Sequence, residues 1–456
     1  MAGSLDYEKL TAFFLDLPAG ARARLSAALN SEAGADIPFR SIILEPLLAA
    51  QRALGEIPEA FPPEDLLLAP LDPFILPVDV KTKTAGLIGH TFRERLPKWL
   101  AGEGAPDIVR ELGEKLARAS DRAARDTAVD QAQDKLARHL EESLSAASSA
   151  KARIRLAGQL GGETAGADLE DAAVILKRRF LLAKFAAETS PPGPAGVDET
   201  LKIHKGRLES LAAKHPEILP FALVLVRQKL SNPQTFMRLA AMVCETTDGA
   251  RIADSPFARI LDLTLAEAER EQIRVRTLTS TADRSQLLQA VRAFGAAARA
   301  LGTEIDLLPD GAHAKRLAAL KREIADSVRG DLQDLSPRIR RLVRPRAQER
   351  SLEPHEIDRL VADLDLLLIT RSYAEEIAMN ALSSRIFGEV RELLDTGTPP
   401  LIERLRAADE KSKPALKSRL SSIVTVSAKI FGSEYAALMS KAVEVAGQPA
   451  QLRSSA

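Results

Sequence analysis

Apolar residues recur at spacings of three and four along most of this chain, and nowhere does a convincing run alternate with turns at both ends. That period belongs to helices with one buried face rather than to strands. Residues 5–17 (LDYEKLTAFFLDL) carry Leu5, Leu10, Phe13, Phe14 and Leu17, with Ser4 as N-cap. Pro18 opens a second helix through Leu29, because proline is tolerated at a first turn. A third helix is expected from Phe39 to Leu54, with Pro46 predicting a kink or a restart. Between Pro106 and Leu160 only Gly113 interrupts the pattern. There Ile108, Leu112, Leu116, Ala119 and Ala123 lead into Val129, Ala132, Leu136, Leu140 and Leu144. We expect a long amphipathic helical hairpin over 106–188, whose stretch 106–160 would span about 80 Å if unbroken, or would turn back near Ser145–Ala150.

After Gly161-Gly162 a helix is expected over 168–188. Beyond it, Thr189–Val197 (TSPPGPAGV) reads as a linker, rich in proline and glycine and free of charge. Helices then follow over 198–214, 217–230, 233–246, 256–277, 282–301, 311–333, 337–344, 354–369, 372–395, 399–409, 413–431 and 433–446. Asn232, Ser255, Ser336 and Thr398 each precede a proline and are the expected N-caps. No unit of 34 to 45 residues recurs, so a solenoid is not expected.

One segment departs from the helical pattern. Residues 57–80 hold six prolines, interleaved with Phe61, Leu66, Leu67, Leu68, Leu71, Phe74, Ile75, Leu76 and Val78. Proline blocks a long helix, yet this much apolar side chain does not stay in water. The expectation is an extended or short-turn strap packed on the N-terminal helices, with docking on a partner as the alternative. Eight of the chain's eighteen aromatic residues also fall within 1–99. The sequence thus predicts an all-α, non-repetitive helical array in four parts: a module with its Pro-rich strap over 1–105, the hairpin over 106–188, the linker over 189–197 and an array over 198–450.

Composition sharpens this in a few places. Of 456 residues, 45% are hydrophobic and 28% charged, with 63 basic against 63 acidic side chains. Alanine makes up about a sixth of the chain and favours closely approaching helices. A neutral total gives no global case for nucleic acid or an anionic membrane. Cys244 is the lone cysteine, which excludes an internal disulfide and any multi-cysteine metal site. The longest apolar run, Ile218–Val226, falls short of the ~18 residues a membrane span needs. No basic-then-apolar leader is seen at the N-terminus, so the expected location is cytoplasmic.

Most catalytic chemistries lack their residues. The run 158–166 (GQLGGETAG) has no Lys-Ser/Thr to reach phosphates and follows a helix rather than a strand, so it reads as a helix end and loop. No two of the six histidines lie four apart, and none has a glutamate three residues before it. No Gly-x-Ser-x-Gly elbow occurs. Cys244 reads as a small buried residue, and His90 and His204 as surface or half-buried histidines. No cofactor, metal or catalytic residue is expected from these patterns.

The charge feature that stands out is Arg338–Arg350 (RIRRLVRPRAQER), net +5 from Arg338, Arg340, Arg341, Arg344, Arg346 and Arg350 against Glu349. Ile339, Leu342 and Val343 form an apolar face opposite Arg340, Arg341 and Arg344. Such a face suits an acidic partner, an anionic membrane surface or phosphates, or is simply a solvated, salt-bridged face. Residues 1–80 carry a complementary net −7, which suggests self-association or an intrachain contact. The function expected is a non-enzymatic helical adaptor or scaffold binding another protein. A nucleic-acid-associated protein using the arginine segment is the first alternative, handicapped because no aromatic residue interleaves the arginines. An enzyme with a site assembled from dispersed residues is the second.

Overall fold

The computed structural model describes residues 7–30, 40–54, 62–119, 122–146, 150–192, 196–279, 283–344 and 353–448. Among the described residues the fold is all-α, 82% helical, with no strand. Two compact units form: Met1–Asp72 with Leu96–His139, and Pro73–Arg95 with Leu140–Ala456.

In the first unit, helices Tyr7–Asp16, Ala19–Asn30 and Arg40–Ala53 enclose a small core of Phe14, Leu29, Leu47 and Ala50, with Leu10, Leu17, Leu25, Ile43 and Leu44 partly buried against it. Pro46 does not divide its helix. Arg22 is buried and donates to the carbonyls of Phe14, Leu15 and Leu17, meeting acceptors that the end of the first helix would otherwise strand. Further along, helix Arg122–Ala146 buries Ala132 and Leu136 of the expected face, with Ala128 buried in place of Val129, which is half-buried. Gln133 on that helix donates to the Leu66 carbonyl at 2.9 Å. The expected long arm is broken, however: helix Pro106–Arg118 ends where Ala119 turns extended, with neither glycine nor proline to signal it.

In the second unit, the apolar run Ile218–Val226 becomes the buried helix Leu219–Lys229, entered through Pro220. No helix among the described residues is long and apolar enough to cross a membrane. Around it, helices Val197–Lys214, Pro233–Cys244, Arg259–Leu278, Arg284–Glu304 and Ala312–Gln333 follow the expected order, as do Leu335–Val343, Pro354–Ser372, Lys413–Phe431 and Ser433–Ala446. Asn232 caps its helix as expected, accepting from the Gln234 amide at 2.9 Å. Ser255 accepts from the Phe257 amide at 3.1 Å, ahead of a turn that leads into helix Arg259–Leu278.

Three expectations are corrected. The described part of the strap is more helical than its prolines suggested, forming helix Pro63–Leu68 and a 3₁₀ segment Ala69–Phe74. From Pro73 onward it belongs to the second unit, where Phe74 meets Phe221 edge-on at 5.5 Å and the Lys81 amide donates to the buried Glu269 carboxylate at 2.6 Å. Thr398 is not an N-cap, because one helix, Asn380–Ala407, runs through Pro399 and Pro400, with the Thr398 hydroxyl bonded back to the Leu394 carbonyl at 2.6 Å. Burial holds that helix together: Leu394, Leu401 and Leu405 are all fully buried on both sides of the prolines. Ser336 also lies inside a helix and donates to Glu389 at 2.7 Å.

Candidate functional site

Helix Leu335–Val343 carries the arginine segment, and its apolar positions do what the pattern predicts. Ile339, Leu342 and Val343 are buried, so the opposite side must face solvent. On that opposite side Arg340, Arg341 and Arg344 are exposed. Among the described residues, none of the three has an acidic partner within ion-pair distance.

Both ends of the helix are fixed. At its start Arg338 turns inward and pairs with Asp363, a carboxylate only 1% exposed that Arg284 also approaches at 3.4 Å. Arg284 in turn pairs with Asp331 at 2.6 Å. Burial pushes the Asp363 carboxyl up, with Arg284 and Arg338 pulling against it. At the helix end Arg419, itself 3% exposed, donates its Nε to the Leu342 carbonyl at 2.7 Å and its Nη2 to the carbonyls of Arg341 and Arg344. A buried guanidinium thus occupies the negative end of the helix, as Arg22 does in the first unit. Close approach adds to this clamp, since a side chain on Gly397 would come within 2.6 Å of the Val343 side chain.

Of the six arginines in the segment, the structure therefore presents Arg340, Arg341 and Arg344 outward and turns Arg338 inward. Arg346 and Arg350 lie outside the described residues.

A second constellation was not legible in the sequence. Lys83, on the loop after the strap, places its ammonium 2.6 Å from Asp168 Oδ1 and 2.7 Å from Asp171 Oδ2, and donates also to the Leu87 carbonyl. The amides of Gly86 and Gly89 point at the same two carboxylates, each at 3.3 Å. Thr164 donates its hydroxyl to Asp168 Oδ2 at 3.0 Å. The Gly-rich run supplies the approach to this place: Gly161 and Gly162 adopt positive φ at the end of helix Ala150–Leu160, the expected helix end, and lead into helix Ala165–Glu188, which carries both aspartates. Burial pushes the Asp171 carboxyl up, the Lys83 ammonium opposing it.

Other sequence candidates are placed as follows. His204 is fully buried rather than half-exposed, its Nε2 donating to the Ser190 carbonyl at 3.2 Å, and desolvation holds its pKa down. His90 is exposed beside Glu94. Cys244 is half-buried 3.3 Å from the Ser255 hydroxyl, and burial pushes its thiol up, away from the thiolate. Among the described residues no group of three or more His, Cys, Asp or Glu side chains is arranged to hold a metal ion. No family model, curated protein or solved structure matches the chain.

Proposed function

We propose that this protein is a non-enzymatic helical scaffold of the cytoplasm that holds an acidic surface of a partner protein against Arg340, Arg341 and Arg344. One observation carries the reading: three neighbouring guanidinium groups face solvent without an acidic partner among the described residues, on a helix clamped at both ends. Arginine presents a planar fork that takes a carboxylate through two parallel hydrogen bonds. A helix fixed by Arg338 and Arg419 holds its outward side chains in one frame, which lowers the ordering cost of binding. Two of the three arginines also lie in the last helical turn, where a cation favours the dipole. That role needs no partner, so the test must separate the two.

The test is fluorescence anisotropy of a labelled glutamate-rich peptide on the full chain and on the triple variant Arg340→Gln, Arg341→Gln, Arg344→Gln. Binding that falls at least about tenfold in the variant, with helix content unchanged by circular dichroism, supports the reading. Equal binding by wild type and the glutamine variant refutes it.

A further inference from the structure

The loop that follows the strap borders a half-open cavity of about 190 Å³ within the second unit. Leu76, Leu87, Phe92 and Leu160 line part of it, and its ionisable lining residues are Asp79, Lys83, Glu163 and Asp168. Three further facts define what that space is built to meet.

First, the one cation in the lining is already spent. Lys83 has three donor hydrogens and three acceptors around it, in Asp168, Asp171 and the Leu87 carbonyl. Second, two carboxylates close on the same point. A Cβ on Gly89 would lie 2.9 Å from Asp79 Oδ1 and 3.4 Å from Asp168 Oδ2, so glycine there lets both carboxylates approach the backbone closely. Asp79 is itself held in place by the Thr91 amide, at 3.2 Å, and by the Thr91 hydroxyl. Third, Thr84 is among the residues lining the cavity, is 3% exposed, and its hydroxyl has no hydrogen-bond partner. A buried hydroxyl left unmatched is costly, and buried polar atoms are satisfied in nearly all folded proteins.

The remaining capacity of the cavity is therefore one of acceptors with excess negative charge, beside an apolar wall. An anion would face Asp79, Glu163 and Asp168 together. A metal ion would need ligands that this group does not assemble. We infer that the cavity binds a small organic cation, a primary ammonium compound with a short apolar chain. Its N–H donors meet Asp79, Asp168 and the Thr84 hydroxyl, and its chain lies along Leu76, Leu87, Phe92 and Leu160. At ~30 Å³ for each water-sized volume, the space takes a molecule of about six non-hydrogen atoms.

Ligand-observed NMR on the full chain tests this with three probes of nearly equal shape: n-butylammonium, neutral n-butanol and anionic butyrate. The ammonium probe should saturate the protein in the millimolar range, with the alcohol and the carboxylate at least about tenfold weaker. Asp79→Asn keeps an oxygen for Thr91 but removes the charge, and should weaken the ammonium probe about tenfold. Thr84→Val keeps the shape and removes the hydroxyl, and should weaken it several-fold while leaving the thermal unfolding of the chain unlowered. Failure of n-butylammonium to saturate, equal affinity for all three probes, or unchanged ammonium affinity in both variants overturns the inference, and a cavity filled only by ordered water gives the first of these results.

Discussion

Replacing Arg419 by Met would separate the arginine face from its support with little change in bulk. The methionine keeps much of the aliphatic stem, so the loss is mainly that of the guanidinium. The carbonyl acceptors of Leu342, Arg341 and Arg344 are not equivalent. Arg341 and Arg344 are exposed residues, and their carbonyls can turn to water once the guanidinium is gone. Leu342 is buried, and its carbonyl, now 2.7 Å from Arg419 Nε, would be stranded. A hydrogen bond to a charged donor contributes about 2 kcal/mol, and a cation at a helix C-terminus about 1 kcal/mol more. The expected loss is therefore about 3 kcal/mol, local to helix Leu335–Val343, or about a hundredfold in its opening equilibrium. Hydrogen–deuterium exchange reads this directly, in peptides covering that helix. Their amides should exchange about a hundredfold faster in the variant, while peptides from helix Tyr7–Asp16, whose end is held by Arg22, stay unchanged. Exchange over 335–343 that changes by less than about threefold would refute the clamp.

Two further outcomes follow from the same structure. His204 is buried neutral with its pKa held below 6.5, so as the pH falls below that value the unfolded chain takes up a proton that the folded chain resists. Stability should therefore fall on acidification from about 6.5 and be full above it; His204→Gln, which can still donate to the Ser190 carbonyl, should flatten that dependence in urea titrations, and an identical slope in both proteins counts against it. Gly86 has φ +89° and its missing Cβ would sit 2.7 Å from the Pro220 carbonyl oxygen, so Gly86→Ala should cost about 3 kcal/mol from backbone strain and overlap together, seen as a lowered denaturation midpoint; an unchanged midpoint contradicts the placement of this loop.

How far the sequence foretold this molecule depended on the range of the interaction. Helix positions beyond residue 197 were legible because the three-and-four period and caps such as Asn232 act within one turn. Ile339, Leu342 and Val343 marked the buried side of their helix for the same reason. Thr398-Pro399 misled because a helix end was read from local chemistry, while the burial of Leu401 and Leu405 by distant helices carries the helix through. Lys83 and Asp168 are 85 residues apart, and Arg419 lies 77 beyond Leu342. No spacing in a single sequence couples such pairs. A lysine after a proline-rich strap and an Asp-x-x-Asp near the start of a helix were visible, but nothing marked them as partners. The apolar face already set Arg340, Arg341 and Arg344 opposite the core, but that Arg338 turns inward to Asp363, 25 residues away, had no local signal.

The central claim is that these outward arginines meet carboxylates of a protein rather than a phosphate backbone. The most direct measurement titrates the full chain with an acidic peptide and with a single-stranded RNA of equal net charge, at low and at physiological salt. Three guanidinium groups can release only about three counterions from RNA, a salt slope near −2, and no aromatic residue interleaves them to stack a base. The account predicts that at physiological salt the peptide binds at least about tenfold more tightly than the RNA, and that this preference disappears in the Arg340→Gln, Arg341→Gln, Arg344→Gln variant. Tighter binding of the RNA, lost in the same variant, would contradict it.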